Sequence, residues 1–167
     1  ANIDVTKKNY IVNGAIMVSQ ENGSVAGSTT GYVPADQFIY VTASTTGVVS
    51  IAQVASPTPA GSPYRIRVTV TTADPSVGAG DVAFIQQGIE GSRIADLRFG
   101  SSAAKALTIQ FGVKAPAGTY CVALRNGSLN RSYVGEYTIS AGEANTDLIK
   151  TVTLVADTSG TWAKDNT

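Results

Sequence analysis

Apolar and polar positions alternate along short stretches of this chain, and turn residues separate those stretches. In Thr108-Ile109-Gln110-Phe111-Gly112-Val113 every second side chain is apolar or small, and Ile66, Val68 and Val70 alternate in the same way with Arg65, Arg67 and Thr69. Period two is the signature of a β-strand with one face toward a core and one toward water. The clearest strands are predicted over 65–71, 107–113, 119–124, 133–139 and 151–155. Between them lie 57–63, 74–80, 115–118 and 126–128, each with proline or glycine to set turn dihedrals, so these are read as loops. One segment, 90–97, has helical spacing: Ile94 and Leu97 fall on one face, and Ser92 is the predicted N-cap. Strands at this spacing with a single short helix near 92–97 predict an all-β fold, a jelly-roll-like antiparallel sandwich.

Length and composition narrow the picture. At 167 residues and 43% hydrophobic, the chain is expected to form a single β-sandwich domain over 9–167, with 1–8 as a polar lead-in or arm. Basic and acidic residues balance at 12 each, which leaves no electrostatic footprint for nucleic acid. No apolar run reaches the roughly 18 residues of a membrane span, and the first nine residues lack the order of a secretory signal, so no membrane insertion is expected. There is no histidine, which removes Ser-His-Asp and Cys-His nucleophile systems and histidine-zinc sites. The single cysteine, Cys121, lies between Tyr120 and Val122 and is expected to pack as a small hydrophobe.

Several segments together resemble a family widespread among phage and prophage tail-fibre and appendage proteins. They are Asn9-Tyr10-Ile11-Val12-Asn13-Gly14-Ala15-Ile16-Met17-Val18-Ser19-Gln20, Gly31-Tyr32-Val33-Pro34-Ala35-Asp36, and Ile89-Glu90-Gly91-Ser92-Arg93-Ile94-Ala95-Asp96-Leu97-Arg98-Phe99-Gly100. The resemblance continues through Val122-Ala123-Leu124-Arg125-Asn126, Asn130-Arg131-Ser132-Tyr133-Val134 and Asp157-Thr158-Ser159-Gly160-Thr161-Trp162, in the same order, and so covers nearly the whole chain. It implies a β-sandwich resembling carbohydrate-binding modules, a virion location in a tail, fibre or other surface appendage, a homotrimer, and contact with the host surface. Family members commonly continue past the Gly-Thr-Trp segment, so the domain is expected to lack its closing strands here.

The chemistry that such a role requires can be assigned to candidates. Aromatic rings stack on pyranose faces, and amides and guanidinium groups make paired hydrogen bonds to sugar hydroxyls. On that basis the candidate carbohydrate-binding residues are Tyr32, Tyr64, Gln86, Arg98, Arg125 and Arg131, while Trp162 is expected to be a core plug. A glycosidase would need two carboxylates across a sugar, and Asp36, Asp81, Glu90, Asp96, Glu136 and Asp157 show no recognisable catalytic spacing. Glu90, Arg93 and Asp96 are read as an ion-paired cluster on the helix. No calcium-loop motif is present, although Asp157 and carbonyls around it remain a place where separated loops could hold an ion. No cofactor, metal or catalytic residue is therefore assigned. The leading expectation is a non-enzymatic phage fibre domain that binds bacterial surface polysaccharide. A purely structural protein whose partners are other virion subunits is the alternative, and a polysaccharide depolymerase is third.

Overall fold

The computed structural model describes residues 8–163. The expected arm at 1–8 lies outside these residues except for Lys8, whose ammonium sits 4.9 Å from the centre of the Tyr10 ring. The fold is all-β and antiparallel. The chain divides into two compact units, Ala1–Gly88 and Ile89–Thr167. The physical reason lies in strand pairing: every ladder among the described residues joins strands of the same unit.

In the first unit, β1 (Phe38–Ala43) pairs with β4 (Val82–Gln87), and β2 (Val48–Ala55) pairs with β3 (Tyr64–Thr72). A hairpin is thus nested inside a longer antiparallel pair. The register runs from Phe38 opposite Gln87 to Ala43 opposite Val82, and sets Ile51 opposite Val68. The predicted loop at 57–63 closes the hairpin, with the Ser56 N–H donating to the Pro63 carbonyl at 3.0 Å and the Arg65 Nε–H to the Ser56 carbonyl at 3.0 Å. Ala35, Tyr40 and Ile51 form the buried apolar centre.

The alternation predicted for β3 is present in the backbone, but its dry face is only half dry. Directly paired residues on antiparallel strands project to the same side. Ile51 is fully buried while Val68 opposite it is 51% exposed, and Val70, opposite the half-buried Val49, is 66% exposed. The β2 half of this face is covered and the β3 half is open.

The second unit begins with α1 (Gly91–Ile94), followed directly by a 3-10 turn, Ala95–Leu97. The expected short helix is present, but Ser92 does not cap it. Glu90 occupies the N-cap with extended backbone (φ −58°, ψ 138°) and no side-chain cap, because the helix starts at Gly91, two residues before a Ser92 cap would start it. Four strands follow: β5 (Leu107–Val113), β6 (Gly118–Arg125), β7 (Ser132–Ile139) and β8 (Leu148–Leu154). β5 pairs with β8 and β6 with β7, repeating the nested pattern. Here the period-two burial is clean. Tyr120, Val122 and Leu124 turn inward on β6, as do Val152 and Leu154 on β8. The inner faces meet through Phe111 and Tyr137, 5.0 Å apart edge to face, and through Gly135, where a Cβ would collide with Val152.

The same alternation corrects the expectation for Cys121. One residue out of phase with Tyr120 and Val122, it points away from the core and is exposed opposite Glu136.

Candidate functional site

Three of the six candidate sugar-binding residues lie in each unit. Tyr32 precedes β1, and its hydroxyl donates to the Val25 carbonyl while its ring packs so closely on Gly27 that no Cβ fits there. Burial, reinforced by the charge of Glu21, raises its pKa. The ring is thus half-buried and occupied with its own loop. Tyr64 opens β3 opposite Ala55, and Gln86 lies on β4 opposite Ile39; both are half-buried. Arg98 is exposed and takes a left-handed conformation (φ 54°) where the 3-10 turn ends. Arg125, also exposed, is the last residue of β6, and Arg131 immediately precedes β7 across the same turn.

Arg131 has a different task from the one expected. Its guanidinium grips Asp157 in a fork, with Nε–H to Oδ2 at 2.6 Å and an Nη2–H to Oδ1 at 2.8 Å, and Nη2 also donates to Ser159 Oγ at 2.9 Å. The indole N–H of Trp162 donates to the same carboxylate at 2.8 Å, and the Ser159 N–H at 3.1 Å. A planar fork is the geometry that suits a carboxylate best. The Arg131 hydrogen bonds, then that of Trp162, pull the Asp157 pKa far below the usual carboxylate range, and Asp157 in turn raises that of Arg131. Both Asp157 oxygens are engaged by donors, so the ion site considered at this residue would have to displace the guanidinium. Trp162 is half-buried rather than a core plug, its ring 4.9 Å from that of Phe99.

Asn126 extends this clamp. It is 4% exposed, and its Oδ1 accepts from the N–H groups of Asn130 and Arg131, both at 3.1 Å, while Nδ2 donates to Asn130 Oδ1 at 2.7 Å and to the Thr161 carbonyl at 3.1 Å. One amide ties the β6–β7 turn to the 157–162 segment. Gly160 runs so close beneath the Arg131 side chain, at φ 77°, that a Cβ would strike it.

The first unit has a counterpart built on Asn13. Its Oδ1 accepts from the N–H groups of Met17 (2.9 Å) and Val18 (3.1 Å), and its Nδ2 donates to the carbonyls of Val18 (2.8 Å) and Asp36 (3.1 Å). Asp36 Oδ1 accepts from the Gln20 N–H at 2.8 Å. Gln87 acts as a surrogate peptide group for Val12: its Oε1 accepts from the Val12 N–H at 2.8 Å and its Nε2 donates to the Val12 carbonyl at 2.7 Å. Gln53, 7% exposed, donates to the Ile16 carbonyl at 2.7 Å. These side chains, with the Ser62 hydroxyl donating to the Ala15 carbonyl, hold the 12–20 segment in place of a strand ladder.

The other carboxylates near turns are employed similarly. Asp81 accepts from the Gly78 N–H at 2.6 Å. Asp74 is lowered to about 2 by the Thr45 hydroxyl and the Ser76 N–H, and Glu143 to about 2 by the Ser140 N–H and Lys150. Among the described residues no three His, Cys, Asp or Glu side chains come together as metal ligands. No protein-family model, curated protein or solved structure matches the chain.

Proposed function

We propose that this chain is a non-catalytic β-module of a phage fibre or other virion appendage that contributes to attachment by binding bacterial surface polysaccharide. The observation that supports this is the position of the residues on which the resemblance rests. Asn13, Asp36, Asn126, Arg131, Asp157 and Trp162 all belong to the two clamps that fix loops onto strand ends. Residues of this kind set a shared scaffold, while recognition is left to the surface that the scaffold displays. Of the carboxylates that a glycosidase could use, Asp157 is taken up by the Arg131 fork.

In this reading Arg131 and Tyr32 support structure, while Arg98 and Arg125 are exposed. Weak single contacts would gain strength from the homotrimer that the resemblance implies. Co-sedimentation of the purified chain with bacterial cells tests the reading: saturable binding competed by one purified polysaccharide supports it. Failure of the folded chain to bind any cell or glycan would favour the second reading, a virion building block whose partners are other virion subunits. The open valine face of β3 favours that alternative, since contiguous exposed apolar surface often marks a protein contact.

A further inference from the structure

A groove of about 550 Å³ runs between the outer sides of β7 and β8, lined by Tyr133, Val134, Gly135, Glu136, Thr151 and Thr153, with Val152 in its floor. A second depression lies against it, shares Tyr133, and reaches Asn130, Arg131 and Asp157. Both lie wholly in the second unit. β7 and β8 pair with β6 and β5 respectively and not with each other, so the trough is a seam between two ladders. The near-contact of Gly135 with Val152 closes its bottom.

The lining holds a carboxylate that the chain itself does not engage. Asp36, Asp74, Asp81, Glu143 and Asp157 all spend carboxylate oxygens on hydrogen bonds within the chain. Glu136 projects outward from β7 into this trough and has no such partner among the described residues. Opposite it, Thr151 Oγ1 accepts from the Gln110 amide at 3.3 Å, which positions the hydroxyl and leaves its own proton to be donated. Thr153 Oγ1 lies 3.2 Å from Thr108 Oγ1, so one of these two hydroxyls likewise keeps a free proton. Tyr133, at the junction of the two depressions, belongs to the inner row of β7 with Gly135 and closes the trough from below. The end of the trough is stiffened by the Arg131–Asp157 fork, which also neutralises its guanidinium charge.

The geometry points to this trough as a saccharide subsite, with Glu136 accepting from a pair of sugar hydroxyls and Thr151 and Thr153 exchanging hydrogen bonds with others. A carboxylate wall with the nearby guanidinium neutralised selects neutral or amino-bearing glycans and repels polyanionic ones. This inference rests on the attachment reading and adds its location and ligand class, at residues distinct from the six that the sequence nominates.

The test is calorimetric titration of the full chain with dextran, mannan and galactan as neutral probes and hyaluronan as the polyanion. Binding to a neutral glycan that falls about tenfold or more in both Glu136→Gln and Thr151→Val, each the loss of one good polar contact, and that survives Arg98→Ala and Arg125→Ala, supports the trough. Both groove positions face outward on strands, and far-UV circular dichroism verifies that the variants fold. Binding that is lost in the arginine variants and kept in the groove variants overturns the trough while leaving the attachment reading intact. A preference for hyaluronan overturns the ligand class. No binding to cells or to any glycan by the folded chain overturns both.

Discussion

The two units arrange four strands in the same nested order, yet they protect their apolar side chains differently. In the second unit each ladder has one inward row, and the rows bury each other: Ile139, Val152 and Leu154 are all below a tenth exposed. In the first unit the inward row of β2 is covered while that of β3 is open. Alternation along a strand therefore defines a face, and whether that face is dry depends on what packs on it. Irregular segments also differ in how they are held. Asn13, Gln53 and Gln87 hold 12–20 mainly by neutral amides, with the Asp36 carboxylate on the Gln20 N–H and no ion pair among these contacts, whereas 157–162 is held by an ionic fork reinforced by one amide, Asn126.

The largest effects that would sharpen this contrast are in the buried rows. Leu154→Ala is expected to cost about 2–5 kcal/mol and to raise hydrogen exchange across β5–β8, while Ile51→Ala costs a similar amount and acts on β1–β4. Exchange that rises uniformly in both units for either variant would break the division into two. Asn126→Ala leaves the N–H groups of Asn130 and Arg131 without their acceptor and is expected to cost about 1–3 kcal/mol in denaturant unfolding. Val68→Ala, on the open half of the β2–β3 face, is expected to change the stability of the monomeric chain by no more than about 0.5 kcal/mol. A cost comparable to that of Ile51→Ala would mean that Val68 is covered in solution.

Acid provides a gentler probe. Asp74 in the first unit and Glu143 in the second have folded pKa values of about 2, below their unfolded range near 4. Depressed carboxylates stabilise the fold above the unfolded pKa, and that contribution is lost as pH falls from about 4 toward 2. The melting temperature should decline across this window, and Asp74→Asn should flatten part of the decline. Arg131→Lys keeps the charge but not the fork; it should lower the melting temperature at neutral pH and increase protease cleavage near 157–162.

How much of this was legible in the chain depends on where the signal lay. β5 to β8 announce themselves because Ile109, Phe111, Val122, Leu124, Val152 and Leu154 alternate strictly with exposed neighbours. β1, β2 and β4 were less visible. Phe38-Ile39-Tyr40-Val41 is a continuous apolar run, and β2 places a glutamine, Gln53, at a buried position where the pattern calls for an apolar residue. Arg131 and Asp157 each stand out in the sequence, but their pairing spans 26 residues and is visible only once β7 and β8 are placed. Asn126 stands in the loop predicted over 126–128, and nothing in the local sequence announces its reach to Thr161. The groove residues carried no local signal, because Glu136, Thr151 and Thr153 appear in the sequence as the ordinary wet face of two strands.

The position of Trp162 has a practical consequence. It is the only tryptophan in the chain, and its indole N–H is bonded to the carboxylate that Arg131 grips. Selective excitation of indole thus yields emission from a single site, free of averaging over several chromophores. A shift in that emission ahead of the far-ultraviolet transition would time the release of the C-terminal clamp separately from the loss of the sheets. The protein carries an intrinsic optical reporter at the joint where its ionic fork, its buried amide and its aromatic pair converge.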